Sequence, residues 1–169
     1  MFLSGLLARL SIFFNKRNKL KKRIPLQIVE GRPILTAVIE CESLRIQKQL
    51  MEFVIDTGSP ESYFSEKEVM KLQIPISGKS SKGEVDFGGS RYKQIGLPKI
   101  KAYLLTEDRQ SIAVSLSLSA LKTTKTSDKK IQVAQALPSI LGMDFLRDQK
   151  LSLHLILTEE LVYLEKEDN

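Results

Sequence analysis

The sequence predicts an all-β domain with one or two short helices, carried behind a chemically distinct N-terminal tail. Three observations lead there. From Ile24 onward, short apolar or alternating runs recur between Gly, Pro and small polar residues, the pattern of strands joined by turns. Only one stretch of the body, residues 65–72, carries a full set of helix signals: Ser at the cap, acids early and a Lys late. The charge also divides the chain. Residues 1–24 hold seven bases and no acid, so the overall net charge of +6 becomes −1 for residues 25–169. The body is nearly neutral, which gives no support to a nucleic-acid-binding domain.

Residues 2–14 set Phe2, Leu3, Leu6, Leu7, Leu10, Phe13 and Phe14 at helical spacing, and a basic run follows over residues 15–23. A secretory signal would place its positive charge before the apolar stretch and end in a small-residue cleavage site. The stretch is also short for a bilayer span and contains Arg9. An apolar helical face beside a polybasic run suits the surface of an anionic membrane, with residues 2–23 as the contact. A helix docked on its own domain or on a partner, or a largely unfolded leader, would fit the same pattern. The expected division is a tail over 1–24 and a folded domain over 25–169, in the cytoplasm and peripheral at the membrane if the tail binds there.

Within the body, residues 25–30 and 34–40 read as two strands about a Gly-Arg-Pro turn. A polar connection over 43–49 leads to a central apolar strand over 50–55. Residues 62–64 are a short extended piece, followed by the helix over 65–72. Residues 84–94, alternating on both sides of Gly88-Gly89, predict a hairpin with a flexible tip. Further strands are expected over 98–105 and 111–118, a solvated loop over 122–130, and extended pieces over 131–134 and 139–142. A helical turn or two over 143–149 and strands over 151–157 and 161–165 complete the chain.

The residue inventory narrows the chemistry. With Cys41 the only cysteine and His154 the only histidine, zinc chemistry and Ser-His or Cys-His pairs are poorly supported. His154 sits in an alternating run and reads as the polar face of a strand. No cofactor or metal is expected, and carboxylates are left as the catalytic groups. Attention falls on residues 52–59, where an apolar strand stops at Asp56-Thr57-Gly58-Ser59. A carboxylate placed where a core strand ends sits at the mouth of a cleft, and a Gly two residues on lets a backbone amide approach it. The triplet taken alone fits an ordinary turn equally well.

Two segments together resemble the retropepsin-like aspartic proteases. Residues 53–59 look like that family's catalytic loop. Ile140-Leu141-Gly142-Met143-Asp144-Phe145-Leu146 looks like its second hallmark, two apolar residues and a Gly leading into a short helix. The Gly-Gly hairpin lies between them, where the family carries its flap. The likeness spans roughly residues 33–165 and implies a closed, barrel-type half-domain acting as a two-fold dimer. It implies that Asp56 is the catalytic carboxylate, that Thr57 bonds across the dimer, and that Gly58 gives an amide to the carboxylate. Ser59 matches a hydroxyl that some relatives hold beside the aspartate. Phe87, Gly88 and Gly89 would form the flap, Pro138 and Ile140 would line the substrate groove, and Leu141 and Gly142 would be structural. Retroviral members pair an acid after the loop with an Arg after the second Gly; here those positions are Pro60 and Met143, so both partners are missing together.

No other aspartate of the chain is followed by Thr-Gly or Ser-Gly. The resemblance therefore implies a homodimer that hydrolyses a polypeptide between two copies of Asp56. A catalytically silent dimeric module, or a scaffold held at a membrane by its tail, would share the same fold.

Overall fold

The computed structural model describes residues 21–124 and 136–167. The helix expected over 2–14 and the extended piece over 131–134 lie outside them. In chain order the elements are β1 (Lys21–Pro25), β2 (Gln27–Val29), β3 (Arg32–Cys41), β4 (Ile46–Ile55) and β5 (Tyr63–Phe64), then helix α1 (Glu66–Lys71). There follow β6 (Gly83–Phe87), β7 (Ser90–Gly96), β8 (Ile100–Leu105), β9 (Ser111–Leu116), β10 (Ser119–Thr123) and β11 (Ile140–Leu141). Helix α2 (Met143–Asp148), β12 (Leu151–Ile156) and β13 (Leu161–Glu167) close the order.

The all-β expectation holds. The larger sheet runs β6-β7-β10-β5-β11-β4-β3-β8-β9, with β2 paired to the outer part of β3. It does not close into a barrel as the resemblance implied: the hydrogen-bonded path ends at β6 on one side and at β9 on the other. A separate sheet, β1-β13-β12, joins the beginning and the end of the described chain. Since β1 takes in Lys21–Pro25, the composition boundary after residue 24 falls inside a strand.

Alternation explains the central hairpin. In β3, Leu35, Ala37 and Ile39 point into the core, and in β4 Met51, Phe53 and Ile55 do the same. β4 begins at Ile46, four residues earlier than the apolar run suggested. Residues 47–49 are polar and exposed there, so they read as a connection, although Ile46 and Gln49 pair with Cys41 and Ile39 of β3 on either side of a bulge. β10 was also missed. Ser119, Ala120 and Leu121 are all buried and show no alternation, and Lys122 and Thr123, read as the start of a loop, finish the strand. Ser65 caps α1 as expected, its hydroxyl accepting from Glu68 N at 3.4 Å.

The main core gathers Leu35, Ile39, Phe53, Phe64, Ile100 and Leu104 with the inward face of the terminal sheet, Ile24, Val162 and Leu164. A second, smaller cluster of Tyr63, Tyr92, Leu121 and Ile140 lies beneath the β6–β7 hairpin. No helix among the described residues is long and apolar enough to cross a membrane.

Candidate active site

β11 lies between β4 and β5, parallel to the first and antiparallel to the second. β4 and β5 are consecutive in the chain, so the loop joining them, residues 56–62, must cross the end of β11. That crossing builds the site. Val54 N donates to Ser139 O at 3.0 Å and Asp56 N to Leu141 O at 3.0 Å, so Asp56 is tied to the second motif through its backbone. Gly58 N then donates to Asp56 Oδ1 at 2.9 Å, and Ser59 N to Asp56 O at 3.2 Å. The carboxylate is half-buried, whereas Thr57 and Gly58 are exposed.

Gly142 is where the crossing is tightest. A Cβ built there would stand 2.6 Å from both Ser59 O and Glu61 O, closer than any side chain can sit to a backbone oxygen. The helix that follows docks on the same loop: Met143 N donates to Ser59 O at 2.9 Å and Asp144 N to Pro60 O at 3.2 Å. Ser59 is buried, and its hydroxyl donates to Glu61 O at 2.7 Å, stiffening the loop from within.

The hairpin folds over the second cluster. Gly88 and Gly89 have φ of +56° and +75°, the left-handed pair that a two-residue turn of this twist requires. The tip rests on Leu137, whose Cδ2 would be 2.5 Å from a Cβ at Gly88. Phe87 is half-buried against Tyr63 and Tyr92, with ring centroids 6.4 and 6.5 Å away. Val54, two residues before Asp56, belongs to the same cluster. Ile140 is buried beneath the hairpin, while Pro138 stays half-buried and lines a hollow of about 350 Å³ with Val54 and Leu137. Leu141 is buried in the main core. Thr57 opens on another hollow, of about 630 Å³, walled by Met143, Arg147 and Leu153. A larger one, near 1230 Å³ and lined by Cys41, Arg45 and Lys101, takes no residue of the Asp56 loop.

Glu61 links the loop to the hairpin: Gln94 Nε2 of β7 and the Tyr63 hydroxyl both donate to its Oε2, the latter at 3.4 Å. Burial, and then the charge of Glu61, push the Tyr63 phenol up to about 12. Ser62 and Asp144 also belong to the crossing and were not singled out by sequence reasoning. They are 82 residues apart and pair through a serine hydroxyl, which leaves no local signature. Among the described residues no group of three or more His, Cys, Asp or Glu could hold a metal ion.

No protein-family model matches the chain, and no curated protein matches it significantly. Among solved structures it is similar to a retropepsin-like aspartic protease from Rickettsia conorii, with 13% identity over 88% of this chain and 94% of that one, at a TM-score of 0.49.

Proposed function

We propose that the chain is an aspartic endopeptidase that acts as a homodimer, with Asp56 of each subunit forming the hydrolytic pair. The observation that carries this reading is the Gly58 N–H bond to Asp56 Oδ1, made to a half-buried residue followed by two exposed ones. It fixes the carboxylate by the backbone and leaves the loop open toward whatever faces it.

Hydrolysis by carboxylates needs one group to take a proton from the attacking water and another to hold a proton for the carbonyl oxygen. Two carboxyls about 3 Å apart, at an effective dielectric near 20, repel by roughly 5 kcal/mol if both ionise. One proton is therefore shared over a wide pH range, and the two titrations belong to the pair. With one Asp-Thr-Gly per chain, the second carboxylate comes from the partner subunit's Asp56 across a two-fold axis. The exposed Thr57, and the hollow it shares with Met143, face that axis in this reading. An extended peptide would lie under the hairpin, its backbone held by hydrogen bonds and its apolar side chains accepted near Leu137 and Pro138. The part of the tail that precedes β1, residues 2–20, would hold the enzyme at an anionic membrane surface on its cytoplasmic side.

Asp56→Asn tests the centre of the proposal. Turnover of a peptide library should fall about a thousandfold or more, while folding stability changes by no more than about 0.5 kcal/mol. Retained turnover removes Asp56 from the mechanism, and a monomer in sedimentation that still cleaves removes the pair. For the tail, full-length protein should pellet with anionic vesicles and a 21–169 chain, which keeps β1, should not. Equal pelleting ends that part of the reading.

A further inference from the structure

Asp144 lies outside the hydrolytic pair, yet its carboxylate collects three donors. Ser62 N donates to Oδ2 at 3.1 Å, and Ser62 Oγ and Phe145 N donate to Oδ1 at 2.6 and 2.7 Å. Ser62 is 2% exposed, and its hydroxyl oxygen also accepts from Gly142 N at 2.9 Å. A hydroxyl has a single proton, and an ionised carboxylate can only accept. Asp144 therefore accepts the hydrogen bond of the Ser62 hydroxyl and obliges that oxygen to offer a lone pair to the Gly142 amide.

That amide shares a planar peptide unit with Leu141 O. The same unit thus accepts from Asp56 N on one side and donates to Ser62 Oγ on the other. A chain of hydrogen bonds runs from the Asp144 carboxylate through the Ser62 hydroxyl and the 141–142 peptide to the Asp56 amide, each link setting the direction of the next.

We propose that Asp144, acting through Ser62, is a positioning residue: it orients the 141–142 peptide and with it the backbone from which the Asp56 carboxylate projects. The inference rests on Asp56 being the hydrolytic carboxylate insofar as it concerns rate. The orientation of the peptide can be read without turnover.

The test uses the full-length chain as wild type, Asp144→Ala, Asp144→Asn and Ser62→Ala, with two readouts. On a peptide that the wild type cleaves, Asp144→Ala and Ser62→Ala should lower kcat by about ten- to a hundredfold, with KM unchanged to within about twofold. Asp144→Asn keeps one acceptor oxygen and should recover most of the loss. In amide hydrogen exchange, the Asp56 and Gly142 amides of Asp144→Ala should open about tenfold faster or more, with β8 amides unaltered. A kcat within about twofold of wild type, or unaltered exchange at Asp56, overturns the proposal. Should Asp144→Ala fail to fold, the other two variants carry the same readouts. If the wild type cleaves nothing, the hydrolytic reading fails by itself, and exchange at Asp56 still decides for or against Asp144.

Discussion

In the loop that carries Asp56, the bonds are made mainly by backbone amides and carbonyls, with the hydroxyls of Ser59 and Ser62 and the carboxylates of Asp56 and Asp144 as their side-chain partners. In the sheet that joins β1, β13 and β12, they are made by charged side chains. There Glu165, buried on the face turned away from the core, meets Lys21 Nζ at 2.7 Å, Arg23 Nε at 3.8 Å and His154 Nε2 at 3.6 Å. Tyr163 is stacked between His154, 4.7 Å away and nearly parallel, and the Arg23 guanidinium at 4.6 Å. The first region is held chiefly by neutral amides and hydroxyls set against carboxylates. The second is held by pairs of opposite charge, which salt screens. A site that must keep a carboxylate in place gains from the former plan, and a seam between chain ends can be tuned by the latter.

The largest effect expected from breaking this contrast lies at Gly142. Gly142→Ala drives a Cβ into two backbone oxygens that cannot turn aside, so the loop and α2 must separate. The cost should be about 3 kcal/mol, or roughly 10 °C in Tm, measured by thermal unfolding. A loss under about 1 kcal/mol would mean that the crossing is softer than its contacts imply.

Glu165→Gln should do less, about 1 kcal/mol, because its two cationic partners are half exposed to solvent and their attraction is screened. Its pH dependence is the sharper measurement. Lys21, opposing the effect of burial, holds the Glu165 carboxyl below its ordinary 4.5. A depressed folded-state value contributes stability that is present above 4.5 and lost as pH falls through the lower folded value. Acid unfolding of the wild type should therefore include a component between 4.5 and that value, which Glu165→Gln lacks and added salt weakens. An identical acid limb in both proteins would show that the seam does not depend on this charge.

How legible each region was follows from the same contrast. The Asp56 turn, the Gly-Gly hairpin and the Ser65 cap are local signals, and each appears where its residues suggest. The start of β4 and the whole of β10 were hidden, because pairing across the sheet decides them and not alternation along the chain. Gln47 and Lys48 are polar yet lie in a strand; Ser119 is polar yet buried. The open sheet differs from the expected closed one for a similar reason, since closure depends on the partners of β6 and β9. At the site, Asp56 could be found from its neighbours, whereas Ser62 and Asp144 meet only once β11 has threaded between β4 and β5. His154 was readable as the non-core face of a strand, but its stacking on Tyr163 depends on the register of β12 against β13.

The smallest effect belongs to Tyr63, at the alkaline end, and tests whether the loop region has any titrating weakness. Its phenol is raised to about 12 by burial and by Glu61, against 10 in an unfolded chain. A raised folded-state value contributes stability that is complete below pH 10 and declines as pH approaches 12, since the unfolded chain ionises first. Tyrosinate absorbance should then show two phenols, Tyr63 and Tyr92, resisting ionisation above 10, and Tyr63→Phe should remove one of them. Glu61→Gln should lower the resistant value without abolishing it, because burial remains as the larger cause. If Tyr63 instead titrates freely near 10 in the folded protein, the wall between β5 and the hairpin is open to water. The contrast between a site held mainly by its backbone and a seam held by ion pairs would then lose its sharpest edge.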